Sequence, residues 1–144
     1  MRSKPFRLLL SGIFLLGVAL NSGFHLSEAH AQETPNCAEP TTQSEMTECA
    51  GLDYEKADGE LNAEYQKIRK VLKDRDKASD DSSDSAADAL VASQRAWVAF
   101  RDANCEVAGF QARGGSMEPM LVSTCLADMS RKRSEELRNL SEGF

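Results

Sequence analysis

One predicted helix carries a cluster of aromatic and charged side chains that could recognise a partner. The four residues are Arg95, Trp97, Arg101 and Asp102. Tryptophan and arginine dominate the binding energy of many protein interfaces, so the cluster could be a recognition patch. We favour a second interpretation. In it Trp97 belongs to the core, and the charged side chains pair with Asp58 or Glu60 of a neighbouring helix and fix its register.

Carboxylates of another predicted helix raise the question of acid–base catalysis. Asp53, Asp58 and Glu60 could in principle supply the carboxylate pair of a glycosidase. On a helix, however, Asp53 and Glu60 lie two turns apart, and we expect them to face solvent or arginine partners. The sequence therefore predicts no catalytic residues and no enzyme.

The first 31 residues have the three parts of a secretory signal peptide. The basic start and the small-residue cleavage site flank an apolar run over residues 8–20. As a helix this run would measure about 20 Å, less than the ~30 Å hydrocarbon core of a bilayer. We therefore predict a signal peptide at residues 1–31 and one periplasmic or secreted domain at 32–144. After cleavage it would have no stable membrane anchor.

Cleavage at this site would change the chemistry of the chain. It removes three positive charges and one negative charge, which takes the formal charge from -6 to -8. It also removes both histidines, His25 and His30. Without imidazole, Ser-His-Asp and Cys-His catalysis are excluded and the commonest zinc ligand is missing. We expect no cofactor and no metal, and the acidic charge argues against nucleic-acid binding.

The four cysteines indicate disulfide bonds. An even number of cysteines in a short exported protein is typical of structural bridges, and their spacing matches no zinc or redox motif. Three pairings are possible for Cys37, Cys49, Cys105 and Cys125. We favour Cys37–Cys49 and Cys105–Cys125, because each closes a local loop across a predicted helix start or turn.

Two short polar segments resemble ligand-binding loops but have simpler interpretations. Asp80, Asp81 and Asp84 could imitate a calcium loop, yet the intervening serines and the missing terminal glutamate argue against it. The run 114–116, Gly-Gly-Ser, is too short for a phosphate cradle and is better explained as a turn before a helix.

The elements that position these residues are predicted to be helices. Thr42 and Glu45 form a capping box at the start of the first, which should run to about Asp74. Its apolar residues recur every three or four positions, as on one face of a helix: Met46, Ala50, Tyr54, Ala57, Leu61, Tyr65, Ile68 and Leu72.

Two further helices complete the predicted bundle. The second carries an apolar stripe at Ala86, Leu90, Ser93, Trp97, Phe100, Asn104 and Val107. The third would be capped by Ser116, with Pro119 in its first turn. Its apolar side is Met120, Leu121, Cys125, Met129, Leu137 and Leu140. The prediction is a small all-α bundle of about three helices, stapled by disulfides, with two long antiparallel helices.

These segments together resemble the LprI-type lysozyme inhibitor domain of small exported bacterial proteins. The most specific part is residues 94–105, QRAWVAFRDANC, supported by Cys37, Cys49 and the run 57–62, ADGELN. The resemblance extends from Cys37 to Leu140. Gly59, where we expect a helix former, and the Met-Ser pair at 129–130, where Leu-Thr would fit better, depart from the pattern.

The resemblance implies an exported protein that inhibits lysozyme by protein–protein binding. The acidic charge is compatible with this function, because it would steer the protein towards a cationic lysozyme. The alternative is a structural or interaction module of the cell envelope with no enzyme target.

Overall fold

The protein is an up-down-up bundle of three helices in the computed structural model, which describes residues 35–79 and 85–144. The helices are α1 (Gln43–Ala78), α2 (Ala86–Gly109) and α3 (Glu118–Glu142). A short 3-10 turn, Phe110–Ala112, follows α2, and the described ranges contain no strand. The predicted all-α fold is confirmed. The predicted signal peptide and the acidic connection lie outside the described residues, the latter including Asp80, Asp81 and Asp84.

The start of α1 follows from its local sequence. The Thr42 hydroxyl accepts a hydrogen bond from the Glu45 backbone N–H at 3.2 Å, and Glu45 Oε2 accepts from the Thr42 N–H at 2.9 Å. The Thr41 backbone N–H also donates to Glu45, at 2.7 Å. These hydrogen bonds, that of Thr41 above all, hold the pKa of Glu45 below its usual value. The helix ends at Ala78, one turn beyond the predicted end.

Ion pairs along α1 define the direction of α3. Asp53 pairs with Arg131, and farther along the chain Glu64 approaches Arg138 at 3.8 Å. Residue numbers therefore increase together in α1 and α3, so these two helices run parallel. They share the most extensive interface of the bundle.

The core is centred on the second half of α1. Its buried residues there, Leu61, Ile68 and Leu72, pack with Ala87, Leu90 and Leu137 from the other two helices. Burying a leucine or isoleucine side chain contributes about 1.5–3 kcal/mol each, so this cluster stabilises the bundle by removing apolar surface from water. The predicted apolar stripe of α1 is confirmed, because each of its residues is buried or half-buried.

The predicted stripe of α2 is wrong at Ser93, which is exposed, and in its second half. Phe100 and Val107 are 59% and 64% exposed, and Asn104 is exposed as well. The buried face instead follows Gln94, Arg101 and Cys105. Contacts from the other helices draw these residues inwards, because Arg101 binds partners on α1 and α3 and Cys105 is bridged to α3.

The turn into α3 also differs from the prediction. Met117, and not Ser116, occupies the N-cap position, and no side chain caps the helix there. The Glu118 carboxylate instead accepts a hydrogen bond from the Gly114 N–H at 2.7 Å, and Gly114 has a positive φ of 76°. Pro119 lies in the first turn, as expected. At the other end of α3 Leu140 is 43% exposed, so the predicted apolar side ends before it.

The two favoured disulfides are confirmed. Cys37–Cys49 ties the lead-in segment to α1, and Cys105–Cys125 joins the last turns of α2 to the first turns of α3. Near the second bridge Gly109 allows close approach of the two helices, since a Cβ there would lie 2.6 Å from Val122 Cγ2.

Asp76 connects the end of α1 to the start of α2. Its carboxylate accepts hydrogen bonds from the Ser85 hydroxyl at 2.9 Å and from the backbone N–H groups of Ala86 and Ala87 at 3.1 and 3.0 Å. These groups lie at the N-terminus of α2, where the helix dipole favours a negative charge. Together with the Arg101–Asp58 contact farther along both helices, this junction shows that α2 runs antiparallel to α1.

This junction should make stability depend on pH. The Ala87 N–H hydrogen bond, aided by those of Ser85 and Ala86, lowers the pKa of Asp76 from 3.8 in the folded protein. The ionised carboxylate therefore stabilises the fold above about pH 4, and this contribution is lost as pH falls through the lowered pKa. Asp76→Ala should lower the melting temperature at pH 7, and the difference from the wild type should shrink in acid.

Asp74→Ala is the matched control for this prediction. Asp74 is an exposed carboxylate of the same helix turn, but its partners are the exposed side chains of Lys70 and Lys77. Exposed ion pairs contribute little, so this variant should unfold close to the wild type. Equal losses in the two variants would contradict the role of Asp76 as a link between helices.

Candidate functional site

Arg101 is the centre of the cluster that the sequence singled out. It is 5% exposed and donates from Nη1 to Asp58 Oδ1 at 2.7 Å and to Ser130 Oγ at 3.1 Å. Its Nε donates to Asp102 Oδ1 at 2.9 Å. Because Asp58 lies on α1 and Ser130 on α3, one guanidinium joins all three helices.

Aromatic rings enclose the same guanidinium. The Arg101 Cζ lies 5.4 Å from the centroid of the Tyr54 ring and 5.3 Å from that of Trp97, both within cation–π range. Arg133 of α3 lies over the Trp97 ring as well, at 5.8 Å. Trp97 is half-buried and packs against the core cluster, so it lies between the core and two arginines.

Burial and charge act in opposite directions on the groups of this cluster. Burial disfavours the charged form of Arg101, but the hydrogen bonds to Asp58 and Asp102 outweigh it and raise the pKa of the guanidinium. Burial also raises the pKa of the Tyr54 phenol, although the Arg101 charge opposes the rise. The cluster therefore holds a permanent cation whose charge is balanced within the protein.

Arg95 does not join this network. The interpretation that it pairs with Asp58 or Glu60 is wrong, because Arg95 has no ion pair with any residue in the described part of the chain. The Asp58 carboxylate is occupied by Arg101, and Arg95 lies instead in a groove between α1 and α2.

Two of the carboxylates considered for catalysis bind different arginines. Asp53 accepts two hydrogen bonds from Arg131 Nη1, at 3.0 and 3.1 Å, whereas Asp58 binds Arg101. Glu60 is exposed. Within residues 35–79 and 85–144 no group of three or more histidine, cysteine, aspartate or glutamate residues could hold a metal ion.

The outward side of α2 offers a different kind of surface. Phe100, Val107 and Phe110 are 59%, 64% and 43% exposed. Glu106, which is also exposed, lies one turn before Phe110. We call these four residues the α2 outer face. It combines apolar anchors with a carboxylate, a composition suited to binding a protein with a basic surface.

Three contributors to the Arg101 cluster were missed by the sequence analysis. Tyr54 was assigned only to the apolar stripe, Arg133 was given no role, and Ser130 was treated as a departure from the family pattern. All three reach Arg101 or Trp97 from other helices. Since the register between helices sets these contacts, no local signal in the sequence identifies them.

None of the helices in the described part of the chain is both long enough and apolar enough to cross a membrane.

Comparison with known proteins places the chain in a family. The family model described as "Lysozyme inhibitor LprI" matches residues 36–137. An uncharacterized protein of Rhizobium meliloti (strain 1021) is 48% identical over 118 residues, which cover 79% of this chain and 85% of that protein. The crystal structure of a DUF1311 family protein from Pseudomonas putida KT2440 is similar with a TM-score of 0.59 and 26% identity. That similarity covers 72% of this chain and 97% of the other. With more than half of its length matched, the chain belongs to the LprI lysozyme inhibitor family.

Proposed function

We propose that the protein is an exported binding protein that inhibits a lysozyme-type muramidase by occupying its surface. Family membership is the observation that carries this proposal, because the family is described by that inhibition. The basic start, apolar run and small-residue site of residues 1–31 support export. We also propose that residues 32–144 form the mature domain.

Charge supports a cationic lysozyme as the partner. The mature chain would carry a formal charge of -8, because cleavage removes three of the positive charges and one of the negative charges from a total of -6. A protein with this excess of negative charge is attracted to a basic partner over long distances, and this attraction raises the association rate at low salt.

We propose the α2 outer face as the surface that contacts lysozyme. Phe100 and Val107 are the most exposed of the large apolar side chains in the described part of the chain. Burying them against a partner would supply the apolar anchors, while Glu106 would face its basic residues. The Arg101 cluster lies beneath this face and would hold α2 in place during binding.

Inhibition should be measurable as slower clearing of a cell-wall suspension by a panel of cationic lysozymes. The Val107→Asp variant should inhibit about 30-fold more weakly than the wild type, because a charge would replace an interface anchor worth about 2 kcal/mol. Raising the ionic strength from about 0.01 M to 0.15 M shortens the Debye length from roughly 30 to 8 Å. The association rate should therefore fall much more than the dissociation rate rises.

Val71→Asp is the matched control. Val71 is a 39% exposed valine of α1 and lies outside the α2 outer face, so its variant should inhibit as the wild type does. Equal weakening by both substitutions would reject this surface. If the wild type binds no cationic lysozyme at low salt, the inhibitor proposal fails and the alternative of an envelope interaction module takes its place.

A further inference from the structure

We propose that a groove between α1 and α2 is a binding site for the C-terminal carboxylate of a peptide. The groove has a volume of about 470 Å³, within the range of small-ligand sites. Its polar lining consists of Asn62, Arg69, Gln94 and Arg95. It lies on the side of α2 that faces α1, separate from the α2 outer face, and the proposal does not depend on lysozyme inhibition.

Two arginines, Arg69 and Arg95, give this groove a local positive charge. Neither Arg69 nor Arg95 makes an ion pair or hydrogen bond with any residue in the described ranges, whereas Arg101, Arg131 and Arg133 all pair with carboxylates. The Nε of Arg69 is also shielded from solvent, and no residue of the described ranges accepts a hydrogen bond from it. An anion in the groove would not reach this Nε, but its charge would stabilise the guanidinium. Two cations that bind no carboxylate of the described ranges, together in one groove, favour a negatively charged ligand.

Gln94 adds a polar donor to the wall of the groove. The residue is only 8% exposed, and its Oε1 accepts a hydrogen bond from Arg133 Nε at 3.2 Å. That contact fixes the orientation of the amide and directs its Nε2 away from Arg133. The Nε2 remains accessible to solvent, so it could donate a hydrogen bond to a carboxylate in the groove.

The other side chains that line the groove favour the C-terminus of a peptide over a simple inorganic anion. Val91, Val98 and the Tyr65 ring give part of the groove an apolar wall that suits small alkyl side chains. The Asn62 amide nitrogen donates to Asp58 at 2.9 Å, which leaves its carbonyl oxygen free to accept from a peptide N–H. The two guanidiniums match a carboxylate, which arginine can bind through two parallel hydrogen bonds. Together these groups fit a free carboxylate, its neighbouring amide and a small side chain.

The experiment titrates the purified protein with N-acetyl-Ala-Ala and follows the arginine Nε–Hε signals by NMR. Binding should shift the signals of Arg69 and Arg95. The signal of Arg113, which stacks on Phe110 at the far end of α2, should not shift. The C-terminal amide of the same peptide should bind at least about tenfold more weakly, because it lacks the charge that the arginines recognise. Inorganic phosphate should also bind more weakly, since it cannot use the apolar wall.

Single substitutions locate the site. Arg69→Gln and Arg95→Gln should each weaken the peptide about tenfold, and Arg113→Gln should change its affinity less than twofold. Arg95 is exposed, so its variant tests the site even if Arg69→Gln perturbs folding. The proposal is overturned if acid and amide bind equally, if phosphate binds as tightly as the peptide, or if no arginine signal shifts. None of these outcomes bears on lysozyme inhibition, which is measured separately.

Discussion

Replacing Asp58 with alanine should lower the free energy of unfolding by about 3 kcal/mol, because it leaves a buried arginine without its closest counter-ion. Arg101 is 5% exposed, and its 2.7 Å contact with Asp58 is the shortest that it makes. Asp102 remains bound in the variant, but its side chain is 56% exposed and its charge is screened by water. Urea unfolding followed by circular dichroism measures the loss.

A double-mutant cycle distinguishes an unpaired charge from lost packing. Arg101→Leu removes the cation, so adding Asp58→Ala to that variant should cost less than about 1 kcal/mol. The matched control is Asp102→Ala, which removes the more exposed partner and should cost less than about 1 kcal/mol in the wild-type background. If Asp58→Ala and Asp102→Ala cost the same, the buried contact does not hold the three helices together.

Arg101 also explains why the apolar periodicity of the sequence predicted the buried face of α2 one position too early in the chain. Leu90 and Trp97 lie on both the predicted apolar stripe and the observed buried face of α2. One turn after Trp97, the inward-facing residue could be either Phe100 or Arg101. Hydrophobicity favours burying Phe100, since an arginine is rarely buried unless it is paired. The compensating partners, Asp58 and Ser130, lie on other helices, and periodicity within one helix carries no information about them.

One feature of the sequence could have corrected this register. Cys105 was predicted to pair with Cys125 of the third helix, and a bridged cysteine must face its partner. The position of Cys105 on the helix therefore places Arg101, four residues earlier, on the inward side. Phe100 and Val107 then point outwards, which is where the structure has them.

Local signals predicted the parts of the fold that depend on local contacts. The capping box set the start of α1, and the loop-closing cysteine spacing gave both disulfides. The groove with Arg69 and Arg95 could not be predicted in this way. It exists only because α1 and α2 meet in one particular register, which the core and the Asp76 junction determine together.

Removing the Cys105–Cys125 disulfide by a double substitution to alanine should cost about 3 kcal/mol of unfolding free energy. The bridge spans 20 positions and includes the whole turn from α2 into α3. In the chain-entropy treatment, the Cys37–Cys49 bridge, with a separation of 12, should stabilise almost as much. From the structure we expect the two losses of unfolding free energy to differ more than this treatment implies. Urea unfolding of the two double variants measures both losses.

The difference arises from what each bridge holds in the folded state. Cys105 is fully buried where α2 meets α3, so opening its bridge weakens an interface that unfolds only with the whole bundle. Cys37 is exposed in a lead-in segment, which can detach while the core stays folded. Local detachment limits the cost of losing Cys37–Cys49, and we expect it to be less than half that of losing Cys105–Cys125. Equal costs for the two bridges would mean that the lead-in unfolds only together with the core.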